Sequence, residues 1–222
     1  MTFFNFYNVL GQAVRILNIV GLLVSFSVAP AHAGTDYMPA SFLSHAAKYG
    51  FRVNTANSNK LKEFKRYLGE SVESHSIDVN EPDSDPITVV AYKASQFEGL
   101  LIDDTSLDIE GADVGVNVKW LLKTLRDHIG KHAIFRCLLG IKIGSRVYIF
   151  KGEIPGRIVE KRGQSFGFLP VFLPDGADKT LAEDLPDHFN ARYFAVKQFL
   201  ANEPFQVCDP ILAWDGKFQG EK

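Results

Sequence analysis

The apolar run Leu100-Leu101-Ile102 leads straight into Asp103-Asp104-Thr105, and this junction constrains the chain more than any other stretch. Three apolar residues after Gly99 read as a short buried strand. Two carboxylates at its end are costly to bury unless something positive compensates them. A hard divalent ion is one such compensation, since Mg²⁺ takes carboxylate and phosphate oxygens. Adjacent side chains on an extended strand point to opposite faces. Asp103 and Asp104 can therefore serve one site only if the strand ends here and the turn gathers them. A plain capping pair at a strand-to-loop exit fits the same residues.

The flanking segments suggest the frame. Phe51-Arg52-Val53 reads as a strand, Asn54-Thr55-Ala56-Asn57 as a polar turn, and Leu61, Phe64, Tyr67 and Leu68 as one helical face closed by Gly69. A second helix is expected between Ile87 and Phe97, with Gly99 ending it, and a third over Val118–Leu125. Ala133–Ile143 and Arg146–Lys151 form a hairpin over Gly144-Ser145, a type II′ pair. Arg157–Gly176 is rich in Gly, Pro and aromatics, and a last helix covers about Asn190–Leu200. Nothing is assigned after Asn202. Helices and strands alternate before the hairpin intervenes, which points to an α/β fold with a mixed sheet.

With 222 residues, 46% of them hydrophobic, the chain can build one sizeable core, as one domain or two lobes sharing it. Its net charge of -2 supplies no global field for nucleic acid or anionic membrane, so phosphate binding must come from local groups. Cys137 and Cys208 offer no zinc or redox spacing, and Cys137 reads as a buried core thiol. The N-terminal segment is a separate matter. Arg15, the apolar run Ile16–Val28 and the small-residue site Ala31-x-Ala33 describe a cleavable secretory signal over residues 1–33, leaving a mature domain of 34–222. That implies a periplasmic or secreted protein with no stable membrane anchor once the signal is removed. A mis-assigned start, with Met38 as initiator and a cytoplasmic protein, is the alternative.

Three further constellations could carry chemistry. Thr55-Ala56-Asn57-Ser58-Asn59-Lys60 lies between a strand and a helix. Unpaired N–H groups at the helix start, the Thr55 and Asn57 side chains and the Lys60 charge could cradle a triphosphate. Asn57 could equally be a plain N-cap. Glu81, at the end of Ile77-Asp78-Val79-Asn80-Glu81, could be a third metal ligand or an ordinary surface carboxylate. In Gly163-Gln164-Ser165-Phe166-Gly167-Phe168-Leu169-Pro170, the glycines allow close backbone approach. Phe166 and Phe168 offer faces on which a base could stack, a contact worth roughly 1–3 kcal/mol. A hydrophobic loop packed on the sheet would look the same.

Together, and in this order, these segments resemble the inosine triphosphate pyrophosphatases, which act on noncanonical purine nucleotides. The resemblance runs from Val53 to about Leu200. It rests on Thr55-x-Asn57-x-x-Lys60-x-x-Glu63, on Ile77–Glu81, on Asp103-Asp104-Thr105 and on Val118-Lys119-Trp120. Gly152–Ile158, Gly163, Phe166-Gly167, Pro170-x-Phe172 and Thr180-x-Ala182-Glu183 follow the family's late segments. The resemblance implies an elongated mixed central sheet flanked by helices, with an active-site cleft between two lobes, and a possible homodimer. It implies Mg²⁺-dependent hydrolysis of triphosphates such as ITP or XTP to monophosphate and pyrophosphate. Glu81, Asp103 and Asp104 would hold the metal, and Asp104 and Lys60 would be catalytic. Thr55, Asn57, Lys60, Lys119, Phe166, Gly167, Phe168 and Arg192 would bind substrate.

The departures concentrate on base reading. The family carries Phe-Gly-Tyr/Trp-Asp-Pro where this chain has Phe168 and Leu169, and Ser-His-Arg where it has Asn190-Ala191-Arg192. A lysine between Glu183 and Arg192 is missing, and Val114 and Val116 stand where a Pro-Gly-Pro-like loop is expected. The phosphate half thus matches while base selectivity is open. The alternative is a nucleotide-binding or interaction protein that keeps the fold with weak or no turnover.

Overall fold

The computed structural model describes residues 37–112 and 118–220. The signal segment and the Val114/Val116 loop lie outside these residues. Residues 36–222 make one compact unit, so any lobes are halves of one structure. The order is α1 (Ala40–Tyr49), β1 (Arg52–Asn54), α2 (Ser58–Leu68), β2 (Glu73–His75), α3 (Pro86–Ser95), β3 (Leu101–Ile109) and α4 (Val118–Thr124). It continues through β4 (His132–Ile143), β5 (Arg146–Ile158), β6 (Phe172–Pro174), α5 (Ala191–Ala201) and β7 (Gln206–Cys208). The sheet order is β2-β1-β3-β4-β5-β6, with β7 also on β5. β1 is parallel to β2 and β3, and the remaining pairs are antiparallel. This is the expected mixed α/β sheet.

The helices stop and start where capping chemistry dictates. Asn57 caps α2 by accepting from the Asn59 and Lys60 N–H groups, and Gly69 ends it at φ 105°. Asp85 caps α3 ahead of Pro86, whose missing N–H costs nothing in the first turn. Asn190 caps α5, and Asn202 ends it in the left-handed conformation while its side chain binds the Met38 backbone. In the hairpin, Gly144 takes a φ of +61°, as the first central position of a type II′ turn requires. The second arm continues past the expected Lys151 to Ile158, because β4 pairs with it out to His132↔Arg157 and β6 joins its far end.

Two apolar clusters cover the two faces of the sheet. The larger holds Val53, Phe64, Leu101, Leu107, Phe150, Phe172 and Phe199, under α1, α2 and α5. Full burial of each such Phe contributes about 1.5–3 kcal/mol. The smaller holds Val90, Ala91 and Ala94 of α3 against Ile102, Leu138 and Ile149. Gly152 lets α5 cross β5 closely: a Cβ there would sit 1.9 Å from the Ala191 carbonyl oxygen. Among the described residues no helix is long and apolar enough to cross a membrane.

Candidate active site

The site lies at the carboxyl end of the parallel strands, where open α/β sheets leave a crevice. The β1–β3 pairing stops at Asn54↔Ile102. Thr55–Lys60 follows β1, the segment to Glu81 follows β2, and Asp103-Asp104 lies just past the last β1 contact. Asn54 ties two of these segments together, donating to the Ile77 carbonyl at 2.9 Å and accepting from its N–H at 2.8 Å.

β3 does not end at Ile102. It continues to Ile109 and pairs with β4 through Asp103↔Leu139 and Asp104↔Leu138. The expectation that a turn gathers both carboxylates is therefore corrected. Strand alternation sends Leu101, Asp103 and Leu107 to the α2/α5 face, and Ile102 and Asp104 to the α3 face. The adjacent carboxylates have opposite surroundings.

Asp103 is the centre of a closed ion network. It accepts from Arg192 Nε at 2.9 Å and Nη2 at 3.1 Å, from Lys60 Nζ at 2.6 Å and from the Cys137 thiol at 3.2 Å. Arg192 also donates to Glu63 at 2.8 Å, and Asn190 donates to the same Glu63 oxygen. Burial alone would push the Asp103 carboxyl up. The Arg192 and Lys60 charges outweigh it and hold the group well below the usual carboxylate range. Burial and the nearby Asp103 push the Cys137 thiol up, so it stays a neutral donor. Two carboxylates, Asp103 and Glu63, meet two cations, Lys60 and Arg192, and the charges balance.

These contacts bear on three residues with expected roles. Asp103, expected as a metal ligand, has both oxygens engaged by Arg192 and Lys60 and anchors these cations between β3, α2 and α5. Arg192, expected to bind substrate, is 5% exposed, and its guanidinium pairs with Asp103 and Glu63, tying α5 to β3 and α2. Lys60 keeps one-fifth of its side chain exposed and is the member of the network best placed to meet an incoming anion.

The α3 face is not balanced. Asp104 lies 4.0 Å from Lys93 Nζ, which is held at 2.6 Å by Glu81. Burial pushes the Asp104 carboxyl up, Lys93 offsets only part of this, and Glu81 and Asp103 add to the rise, to about 6. Among the described residues Lys93 is the ion-pair partner of both carboxylates, one positive charge against two negative. A hard cation fits this pair, because Mg²⁺ is usually held by one or two carboxylates plus substrate phosphates. Among the described residues no group of three or more His, Cys, Asp or Glu is arranged to hold a metal. Lys93 escaped the sequence reading. Its signal was a lone lysine in a helix whose neighbours Val89, Val90, Ala91 and Ala94 are all buried.

Asn57 behaves as the plain N-cap: its Oδ1 serves Asn59 and Lys60, and its N–H donates to Thr55 Oγ1 at 3.1 Å. Lys119 stands exposed in the first turn of α4. An open cavity of about 760 Å³ lies between α2 and the late loop, lined by Asn59, Glu63, Phe166, Leu169 and Glu183 among others. Phe166 is 37% exposed and presents a face there, beside Gly167 at φ 62°. Phe168 is 8% exposed and packs in the larger core, so of the two expected stacking rings only Phe166 lines this cavity. Ala191 is fully buried against β5 and offers a base nothing.

Residues 51–202, from the entry to β1 through the end of α5, match the Ham1 family. The chain is a member of the Ham1 family. It is 34% identical over 154 residues to the dITP/XTP pyrophosphatase of Pyrobaculum aerophilum, a match covering 60% of this chain and 82% of that protein. The structures of the Staphylococcus aureus Ham1 protein and of a HAM1 protein from Coxiella burnetii are similar. Each has a TM-score of 0.54 and 22% identity, and covers 68% of this chain and 97% of its own. At that identity the likeness carries the fold alone. The expected kinship with inosine triphosphate pyrophosphatases is borne out. The Ham1 match stops at 202, and Glu203–Gly220 lie beyond it.

Proposed function

We propose that this protein hydrolyses noncanonical purine nucleoside triphosphates such as ITP and XTP to the monophosphate and pyrophosphate, with Mg²⁺ bound at Glu81 and Asp104. Ham1 membership makes it a nucleoside-triphosphate pyrophosphatase, a hydrolase of acid anhydrides. The observation that carries the finer reading is the charge contrast across β3. Asp103 is fully compensated on one face, while Asp104 and Glu81 share a single lysine on the other.

Mg²⁺ bound there would neutralise charge on the polyphosphate. The protein's own groups do the rest. Water attacks the α-phosphorus, the α–β bridging P–O bond breaks, and pyrophosphate leaves. Asp104 orients the water and takes its proton, a task for which a carboxyl raised to about 6 is suited. Lys93 holds both carboxylates before substrate arrives. The charge of Lys60 faces the phosphates. Phe166 supplies a stacking face for the base.

Lys60→Ala and Lys119→Ala are expected to lower kcat/KM by about tenfold to a hundredfold for every triphosphate alike, the loss of one charge-assisted contact. Steady-state kinetics on ITP, XTP, GTP, ATP and UTP check this. A changed base preference without a general loss would assign the altered lysine to base reading.

The same panel on the native protein tests the substrate class. Stacking tolerates any base, and Leu169 and Ala191 offer no hydrogen bonds where the family has Asp and His. A site without buried polar groups rejects wrong bases weakly, by about 10–200-fold, against 10⁴–10⁵ where such groups are left unpaired. The expected result is ITP or XTP as best substrate, preferred over ATP and GTP by less than about 200-fold. ATP as the best substrate would overturn the noncanonical-purine reading.

A further inference from the structure

We propose that the C-terminal segment Glu203–Gly220, beyond the family match, positions Glu81 and Lys93 for the metal and phosphate face of the site. The inference rests on the reading of Glu81 as a metal ligand. After α5 the chain forms β7 on the free side of β5 and then turns along α3.

The segment grips α3 at its C-terminal end. The Ile211 N–H donates to Ser95 Oγ at 2.8 Å, and Gln96 Nε2 donates to the Ile211 carbonyl at 3.1 Å. Ile211 also packs on the smaller core. Tyr92 is flanked by the rings of Trp214 and Phe218, at centroid distances of 6.5 and 6.0 Å. Lys93, the cation between Asp104 and Glu81, lies among these gripped positions.

The same segment then seizes the Glu81 loop. The Gln219 N–H donates to the Glu81 carbonyl at 2.8 Å, and the Asp83 N–H donates to the Lys217 carbonyl at 2.9 Å. These bonds flank an antiparallel bridge between Pro82 and Phe218, and Gln219 Nε2 adds a bond to the Pro82 carbonyl at 3.2 Å. Glu81 follows β2 on a segment without helix or strand of its own. Its backbone is held by Gln219 and its side chain by Lys93. The tail therefore joins the two elements whose spacing sets the Glu81–Lys93–Asp104 geometry. Glu81, Lys93 and Gln219 act in series: the tail residues touch no substrate and work through the groups they hold.

Residues that orient metal ligands typically change affinity about 10–100-fold when lost. The test compares the full chain with Gln219→Pro, which removes the N–H donor to Glu81, and with a chain shortened after Asp209. Three readouts are used: Mn²⁺ binding by electron paramagnetic resonance, amide exchange at Asp83, and the Mg²⁺ concentration for half-maximal turnover. Both variants are expected to weaken Mn²⁺ binding and raise the Mg²⁺ requirement about tenfold or more, with kcat at saturating Mg²⁺ within about threefold of the full chain. The Asp83 amide should exchange faster. Glu81→Gln should weaken Mn²⁺ binding likewise, and adding Gln219→Pro to it should have no further effect. If Glu81→Gln weakens binding but both tail variants bind as the full chain does, the tail proposal falls and the Glu81 reading stands. If Glu81→Gln binds Mn²⁺ normally, both fall.

Discussion

Asp104→Asn is expected to lower kcat by about 10²–10⁴-fold at saturating Mg²⁺, the usual contribution of a positioned general base. The change keeps size and removes the charge that takes the proton and helps hold the cation. Its stability should move the other way. Asp104 is a desolvated carboxylate in a patch with one negative charge too many, so the metal-free variant should melt no lower than the native protein. Kinetics together with thermal unfolding in EDTA check both halves. Native turnover in the variant would remove Asp104 from the chemistry. A large fall in Tm would show that its negative charge is compensated after all.

Asp103→Asn, one residue away, should do the reverse in kind: its main effect falls on stability. The substitution leaves Arg192 and Lys60 buried without their shared counter-charge. Breaking a buried pair from one side costs about 3–5 kcal/mol. For a chain of this size that corresponds to a Tm lowered by roughly 6–20 °C. Acid should mimic it. The folded-state carboxyl of Asp103 is depressed. Its stabilisation is present above the unfolded value near about 3.9, and is lost as pH falls from there toward the folded value. The native protein should therefore lose stability below about pH 4, and Asp103→Asn should lose less over the same interval. Chemical denaturation at pH 7 and at lower pH measures both. A variant as stable as the native chain at pH 7 would show that Arg192 and Lys60 do not depend on Asp103.

Opposite outcomes for neighbouring Asp residues also mark where sequence reading ended. Local physics was enough for the helices. The Leu61, Phe64 and Leu68 spacing, the Asn57 cap and Gly69 define α2 without reference to the rest of the chain. The Gly144-Ser145 hairpin was equally legible, since turn chemistry and flanking apolar runs are local. The ordered polar motifs were also enough to place the chain among the pyrophosphatases.

The α1 helix and the whole segment after Asn202 were not legible. The segment's rings and amides find partners only on α3 and the Glu81 loop, more than a hundred residues earlier in the chain. The same limit applies to the acidic pair. The sequence by itself determined that two carboxylates sit beside a buried strand, that cations stand at Lys60 and Arg192, and that the base-reading side chains are apolar. Only the tertiary structure decided which carboxylate meets which cation. Continuing β3 to Ile109 makes the side chains alternate, so one face brings Lys60 and Arg192 to Asp103 while the other sets Lys93 between Asp104 and Glu81. The strand continues because β4 offers Asp103 and Asp104 a full ladder of backbone partners, and that partner lies some thirty residues on, out of reach of any local pattern.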